Sequence, residues 1–275
     1  MSSLIPRKPT TVGRDPYKIL MVITGLPKVG KSTLALNDPT KTTVLFATEE
    51  GYMSIRGVLP VPITSWPQFL QVLDEMTMRS DIHRIVIDTY GKLAKMARLH
   101  VCEILKIKHP SDAGFAKGWD ILDAVFFDGM LKLKALNRQI IAICHTKDTE
   151  ENLNGRMITR KKIEASGAAS RWLDQECHSK VYYEMVTNPS TGKERRLLWF
   201  KGRDDVELGG RYLEGAQVPT NIEIPTSEPG HLLKPGWPLV QQVLQKCFLP
   251  QNEPETKPEA SIEVKVEKNV VATVA

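Results

Sequence analysis

Apolar residues along this chain fall in short continuous runs rather than in strict alternation. Ile19–Thr24, Thr43–Phe46, Arg84–Ile87 and Gln139–Cys144 are the clearest runs. A strand buried on both faces needs that pattern, and such strands belong to parallel sheets covered by helices. Between the runs the period lengthens. Ser65 can cap a helix through Met78 that puts Phe69, Leu73 and Met76 on one face. A second helix is expected from Gly118 to Leu136, with Leu122, Phe126, Met130 and Leu133 on one face. Tyr182–Val186 and Arg196–Phe200 flank Thr187-Asn188-Pro189-Ser190-Thr191-Gly192, a turn signal that predicts an antiparallel hairpin at the end of the sheet. The expected fold is α/β: a mainly parallel central sheet flanked by helices, with a C-terminal antiparallel hairpin. It is expected over residues 17–249. Residues 1–16 are polar and bear prolines, as a flexible arm does, and residues 250–275 are Pro/Glu/Lys-rich and expected to be a disordered tail. There is no internal repeat.

Composition narrows the class. The chain has 275 residues, 41% hydrophobic and 25% charged, which is ordinary for a globular protein and enough for one large α/β domain. The net charge of +5 permits nucleic acid as a partner without requiring it. Cys102, Cys144, Cys177 and Cys247 are scattered with no C-x-x-C pair, so neither a disulfide framework nor a zinc site is expected. No apolar run is long enough to span a membrane and the N-terminus lacks a signal-peptide core, so a cytoplasmic location is expected.

The first chemistry lies where the first strand ends. Gly25-Leu26-Pro27-Lys28-Val29-Gly30-Lys31-Ser32 has the pattern G-x-x-x-x-G-K-[ST], a phosphate-binding loop. The glycines let the backbone fold around phosphates, and successive N–H groups then face the anion. Lys31 supplies a charge for the β- and γ-phosphates, and Ser32 or Thr33 a hydroxyl for Mg²⁺. The candidate nucleotide contacts are Gly25, Pro27, Lys28, Val29, Gly30, Lys31, Ser32 and Thr33. Arg84-Ile85-Val86-Ile87-Asp88 is an apolar strand ending in a carboxylate, where Asp88 can share the Mg²⁺ with Ser32. Two acids, Glu49 and Glu50, lie just past Thr43–Phe46, the next strand after the P-loop helix, and either can polarise an attacking water. His145 ends another buried strand and can hydrogen-bond a γ-phosphate. Lys201 and Arg203 end the last strand, where two cations can reach a phosphate, including one in a neighbouring subunit.

These motifs occur in RecA-family order: the P-loop, Thr48-Glu49-Glu50-Gly51, Ile85-Val86-Ile87-Asp88-Thr89, Ile143-Cys144-His145-Thr146-Lys147 and Lys201-Gly202-Arg203. With Ser111–Trp119 ahead of the second long helix, the chain resembles the phage-encoded RecA-like ATPases, the AAA_24-type nucleotide-binding proteins that include single-strand annealing recombinases. The resemblance runs from Tyr17 to Pro225. It implies a RecA-like P-loop core using ATP and Mg²⁺, with sites between subunits of a ring or filament. It further implies Glu49 as catalytic glutamate with Glu50 the alternative, Asp88 as the Walker B aspartate, His145 as a γ-phosphate sensor, and Lys201 and Arg203 as a pair acting across the subunit interface. The implied partners are further copies of the chain, single-stranded DNA and a single-strand DNA-binding protein.

In such proteins mobile loops after the Walker B and sensor strands face DNA. Here Arg156–Arg171 holds five basic residues, Arg156, Arg160, Lys161, Lys162 and Arg171, against one acid, Glu164. With Lys147 before it, this segment is the expected DNA-binding loop. Lys106, Lys108 and Lys117 flank the other loop. Two other readings stay open: a nucleotide-driven switch or motor acting on a protein partner, and a P-loop small-molecule kinase.

Overall fold

A computed structural model of the chain describes residues 13–55, 57–153, 155–165, 167–225 and 236–250. The expected C-terminal tail, apart from Pro250, and most of the N-terminal arm lie outside the described residues. The element order is β1 (Leu20–Gly25), α1 (Lys31–Leu36), β2 (Thr43–Ala47), β3 (Leu59–Pro62), α2 (Trp66–Met76), β4 (Arg84–Asp88), α3 (Tyr90–Leu105), α4 (Lys117–Ala135), β5 (Gln139–Leu153), β6 (Arg156–Ile163), α5 (Gly167–Glu176), β7 (Ser179–Thr187), β8 (Glu194–Trp199), β9 (Gly209–Gly210), β10 (Asn221–Ile224) and α6 (Trp237–Phe248).

The sheet runs β10-β8-β7-β1-β5-β4-β2-β3. From β7 to β3 every neighbouring pair is parallel, and β7–β8 and β8–β10 are antiparallel. This is the expected mixed α/β architecture with its antiparallel hairpin. Continuous apolar runs serve two cores at once because successive side chains leave opposite faces. In β1, Leu20 and Val22 join the core beneath α2, α3, α4 and α5, while Met21 and Ile23 join the core beneath α1 and α6.

Both expected helices form. Ser65 Oγ accepts from Gln68 N at 3.3 Å to cap α2, and Leu122, Phe126, Met130 and Leu133 of α4 are buried. The structure adds elements that the pattern did not reveal. β3 has two prolines in four residues, tolerated because it lies on the sheet edge. The buried face of α3 is partly alanine, Ala94 and Ala97, which gives a weak periodic signal.

One correction bears on function. The segment expected to be a mobile basic loop is instead strand β6 followed by α5. β5 continues past Cys144 to Leu153 and pairs antiparallel with β6, from Thr146 opposite Ile163 to Leu153 opposite Arg156. The acids of β5 answer three of the four cations of β6: Asp148 pairs with Lys161 at 3.1 Å, and Glu151 pairs with both Arg160 and Lys162, while Arg156 is exposed. Arg171 is paired with Asp123 of α4. A count of charge within Arg156–Arg171 misses these carboxylates because they come from other elements.

At the amino edge of the sheet a buried polar network ties the layers together. Arg84 is fully buried. Its guanidinium donates to Gln139 Oε1 at 2.6 Å and to Asp38 Oδ2 at 2.7 Å, and lies 4.5 Å from the Trp237 ring centroid. Gln139 Nε2 in turn donates to Pro16 O and to Gln241 Oε1. Burial opposes the Asp38 charge, but hydrogen bonds from Thr40 and the Arg84 cation outweigh it, and the carboxyl sits below its usual range. Arg84→Met leaves the Asp38 carboxylate buried without its cation. We predict a loss of about 3–5 kcal/mol in unfolding free energy, partly recovered when Asp38→Leu is added. Urea unfolding followed by circular dichroism checks this, and an unchanged midpoint for Arg84→Met refutes it.

Candidate nucleotide site

The site is built where β1, β4 and β2 end and where β5, at His145, leaves the parallel sheet to pair with β6. Register pairs Gly25 with His145, Asp88 with Ile143, and Ala47 with Asp88. Residues one or two positions past those ends therefore meet over the same edge of the sheet. Gly25 closes β1 at φ +152, and a Cβ there would stand 2.3 Å from Tyr183 O, so only glycine fits. Gly30, at φ +97, turns the chain into α1. Leu26, Pro27 and Lys28 are exposed and Val29 is half-buried.

Lys31 is buried. Its ammonium donates to Gly25 O at 2.8 Å and Leu26 O at 2.7 Å and lies 3.3 Å from His145 Nδ1. An ammonium has no acceptor, so Nδ1 of a neutral His145 accepts and the ring proton sits on Nε2. Burial, then the Lys31 charge, hold His145 below its usual pKa, in keeping with that neutral state. Burial pulls Lys31 down to about 8, against the opposing pull of Asp88, Cys144 and Glu49.

Ser32 Oγ donates to Asp88 Oδ2 at 2.5 Å. Burial pushes the Asp88 carboxyl up, with Glu49 adding to it and the Ser32 hydrogen bond opposing. A hydroxyl and a carboxylate converging above the P-loop are hard oxygen donors of the kind Mg²⁺ takes alongside phosphate oxygens and water. Among the described residues no cluster of three His, Cys, Asp or Glu suits a metal held by protein alone. The pair thus fits a Mg²⁺ that arrives with a nucleotide, and Thr33 is not part of it.

The structure separates the two acids. Glu49 Oε1 accepts from Thr89 Oγ1 at 2.9 Å, lies 3.3 Å from Lys92 Nζ and 3.8 Å from His145 Nε2. Thr48 fixes the loop that carries it: Thr89 N donates to Thr48 Oγ1 at 2.7 Å and Thr48 N to Asp88 O at 2.8 Å. Glu50 is exposed at the start of a short 3-10 turn.

The strand-end cations fare differently. Arg203 donates to both Asp205 oxygens, at 2.8 and 2.7 Å, and to Glu184 Oε1 at 2.5 Å, and it faces the Tyr182 and Trp199 rings. It is engaged within its own chain, by Asp205 two residues on and by Glu184 of β7. Lys201 is exposed.

Two residues escaped the sequence reading. Lys92, on the first turn of α3, is matched with Glu49 across 43 positions, and nothing local marks it. Arg196 of β8 lies against the P-loop, its Nη1 2.9 Å from where a Gly30 Cβ would be, and its charge opposes the upward push of burial on the Tyr183 hydroxyl. The parallel strand beside the P-loop, β7, brings its antiparallel neighbour within reach. That adjacency could be inferred only from the full strand order.

A glycine-closed loop with a buried lysine, a serine–aspartate pair beside it and a parallel sheet behind it define a P-loop nucleotide-binding protein. The family model AAA_24, described as an AAA domain, matches residues 17–212, and the chain belongs to this family. It is therefore a P-loop ATPase. A comparison with curated proteins found no match. Among the described residues no helix is long and apolar enough to cross a membrane.

The Lys31 environment yields a pH prediction. Phosphates favour the charged ammonium, so nucleotide binding raises a pKa that starts at about 8. Below that pH Lys31 is charged before and after binding, and no proton moves. Above it, binding takes up a proton and affinity falls as pH rises. Calorimetry in buffers of different ionisation heat should show uptake approaching one proton above about pH 8.5 and almost none at about pH 6.5. Equal uptake at both, or none, refutes the assignment.

Proposed function

We propose that this ATPase hydrolyses ATP with Mg²⁺, that its turnover acts on single-stranded DNA in phage-type recombination, annealing or replication, and that it works as a homo-oligomer, a ring or filament. One observation supports hydrolysis above the rest: Lys31, the Ser32–Asp88 pair, His145 and Glu49 all converge on one edge. Mg²⁺ held by Ser32 and Asp88 would neutralise charge on the phosphates. Lys31 binds the phosphates and the P-loop N–H groups orient them. Glu49 takes a proton from water as its oxygen attacks the γ-phosphorus; the bond to the β-bridging oxygen breaks and ADP leaves. His145, neutral, donates from Nε2 toward the transferred group. In an oligomer Lys201 is the cation available to a neighbour's phosphates, whereas Arg203 would first have to leave Asp205 and Glu184.

A second reading, a switch that drives a protein partner, draws support from the β5–β6 hairpin. Its paired charges suit a protein surface better than a phosphate backbone, and it exposes Met157. Salt-sensitive stimulation of hydrolysis by single strands separates the readings.

Glu49→Gln should retain nucleotide binding and lose at least about 10²-fold in phosphate release, the scale of a missing general base. Glu50→Gln should release phosphate at nearly the parent rate. The reverse outcome moves the base to Glu50. Transfer of the γ-phosphoryl group to an acceptor instead of water would replace hydrolysis by kinase chemistry.

A further inference from the structure

The hydrolytic edge opens onto a cavity of about 490 Å³ running along α3 toward α4. Lys92, Lys95 and Arg98 line it from one face of α3, at the three-residue spacing that aligns side chains on a helix. Lys147 of β5 and Trp119 of α4 complete the wall, and the acids lining it are Glu49 and Glu164. Four cations thus face two carboxylates, and Lys92 already answers Glu49. Among the described residues Lys95, Arg98 and Lys147 have no carboxylate within ion-pair distance, while Arg160, Lys161 and Lys162 of the hairpin each have one. Unmatched positive charge is therefore concentrated in this groove, whereas on β6 Arg156 alone lacks an acid within ion-pair distance among the described residues. Trp119 is half-buried and held by Ser111 Oγ and the His109 ring, and Phe115, just before α4, is wholly exposed. A groove with unpaired cations and a flat indole wall suits a chain of phosphodiesters whose bases are free to stack. A duplex, with its bases turned inward, could use only the cations.

We propose that this α3 groove binds the backbone of a single-stranded nucleic acid, and that Lys92 relays its occupancy to Glu49. Lys95, Arg98 and Lys147 bind phosphates and Trp119 takes a base. A phosphate bound beside them competes for the Lys92 ammonium. Lys92 then releases Glu49 Oε1, which Thr89 still orients, and the carboxylate is free to accept a proton from water. Lys92 is a positioning residue: it touches neither nucleotide nor water and acts through Glu49. The inference rests on the hydrolytic reading in which Glu49 is the base.

The test uses the full chain with a labelled oligothymidylate, fluorescence anisotropy for binding and phosphate release for turnover. The parent should bind the strand with an affinity that falls with salt. Lys95→Ala combined with Arg98→Ala should weaken binding by about tenfold or more and reduce the slope of log affinity against log salt by about 0.7 for each lost contact. Lys92→Met should raise kcat in the absence of the strand, abolish further stimulation and leave KM for ATP near the parent value, a split that a merely structural role would not give. Long-chain inorganic polyphosphate should compete less well than the oligonucleotide, because it brings no base to Trp119. The proposal is overturned if the parent does not bind the strand, if the double variant binds with the parent's affinity and salt slope, if Lys92→Met keeps the parent's kcat and stimulation, or if polyphosphate competes as well as the strand. If Glu49→Gln turns over like the parent, the hydrolytic reading and the relay fall, while the anisotropy measurements still decide whether the groove binds the strand.

Discussion

Gly25 stands beside His145, and Asp88 beside Ala47 and Ile143, because β1, β5, β4 and β2 run parallel and in step. Everything reactive in this protein depends on that register. A slip of one residue in β4 would turn Asp88 to the opposite face of the sheet and break its contact with Ser32. The register is held by apolar side chains on both faces, with Ile85 and Ile87 in one core and Val86 in the other. Packing in two separate cores thus sets the distance between a hydroxyl and a carboxylate.

Once those groups are brought together, their charges must be reconciled in a poorly solvated space. Lys31 leans on two P-loop carbonyls and a neutral imidazole, contacts that hold an ammonium without neutralising it. Asp88, also buried, has a serine hydroxyl as its hydrogen-bond donor. Neither group has found its strongest partner, and phosphates with Mg²⁺ are what would satisfy both. Glu49 is in a different state: Thr89, Lys92 and His145 all crowd one of its oxygens. The candidate phosphate- and metal-binding groups are left wanting while the candidate base is held.

The nucleotide site was legible in the sequence because its signals are local. The P-loop is eight consecutive residues, and an apolar strand running into Asp88 announces a strand end; His145 instead lies within β5, where that strand leaves the parallel sheet and runs on to Leu153. Glu49 and Glu50 were legible only as a pair, since one residue of register decides between inside and outside and the flanking letters do not. What the sequence concealed was long-range pairing. Asp205 stands two residues from Arg203 and is visible locally, but Glu184, from the partner strand of the hairpin, comes beside Arg203 only in the fold. The segment Arg156–Arg171 looked basic until β5 set Asp148 and Glu151 opposite. Electrostatic character belongs to neighbours in space, and a stretch of chain reports it only when its neighbours are also adjacent in sequence.

The same holds for what keeps the P-loop in place. α1 has six residues, too few for a helix to hold itself in water. Its amino end is fixed by the backbone geometry of Gly25 and Gly30. Its other end is fixed by Asp38, which reaches the buried guanidinium of Arg84 two residues beyond the helix. Leu34, Ala35 and Leu36 meanwhile pack into the core beneath α6. Lys31 and Ser32 are thus aimed by restraints at both edges of the sheet, one of them an ion pair far from the chemistry. Arg84 is buried at the start of the strand that ends in Asp88. The strand that carries the Asp88 carboxylate also anchors the helix that carries its hydroxyl partner Ser32, so the two cannot drift apart without unpairing a buried charge.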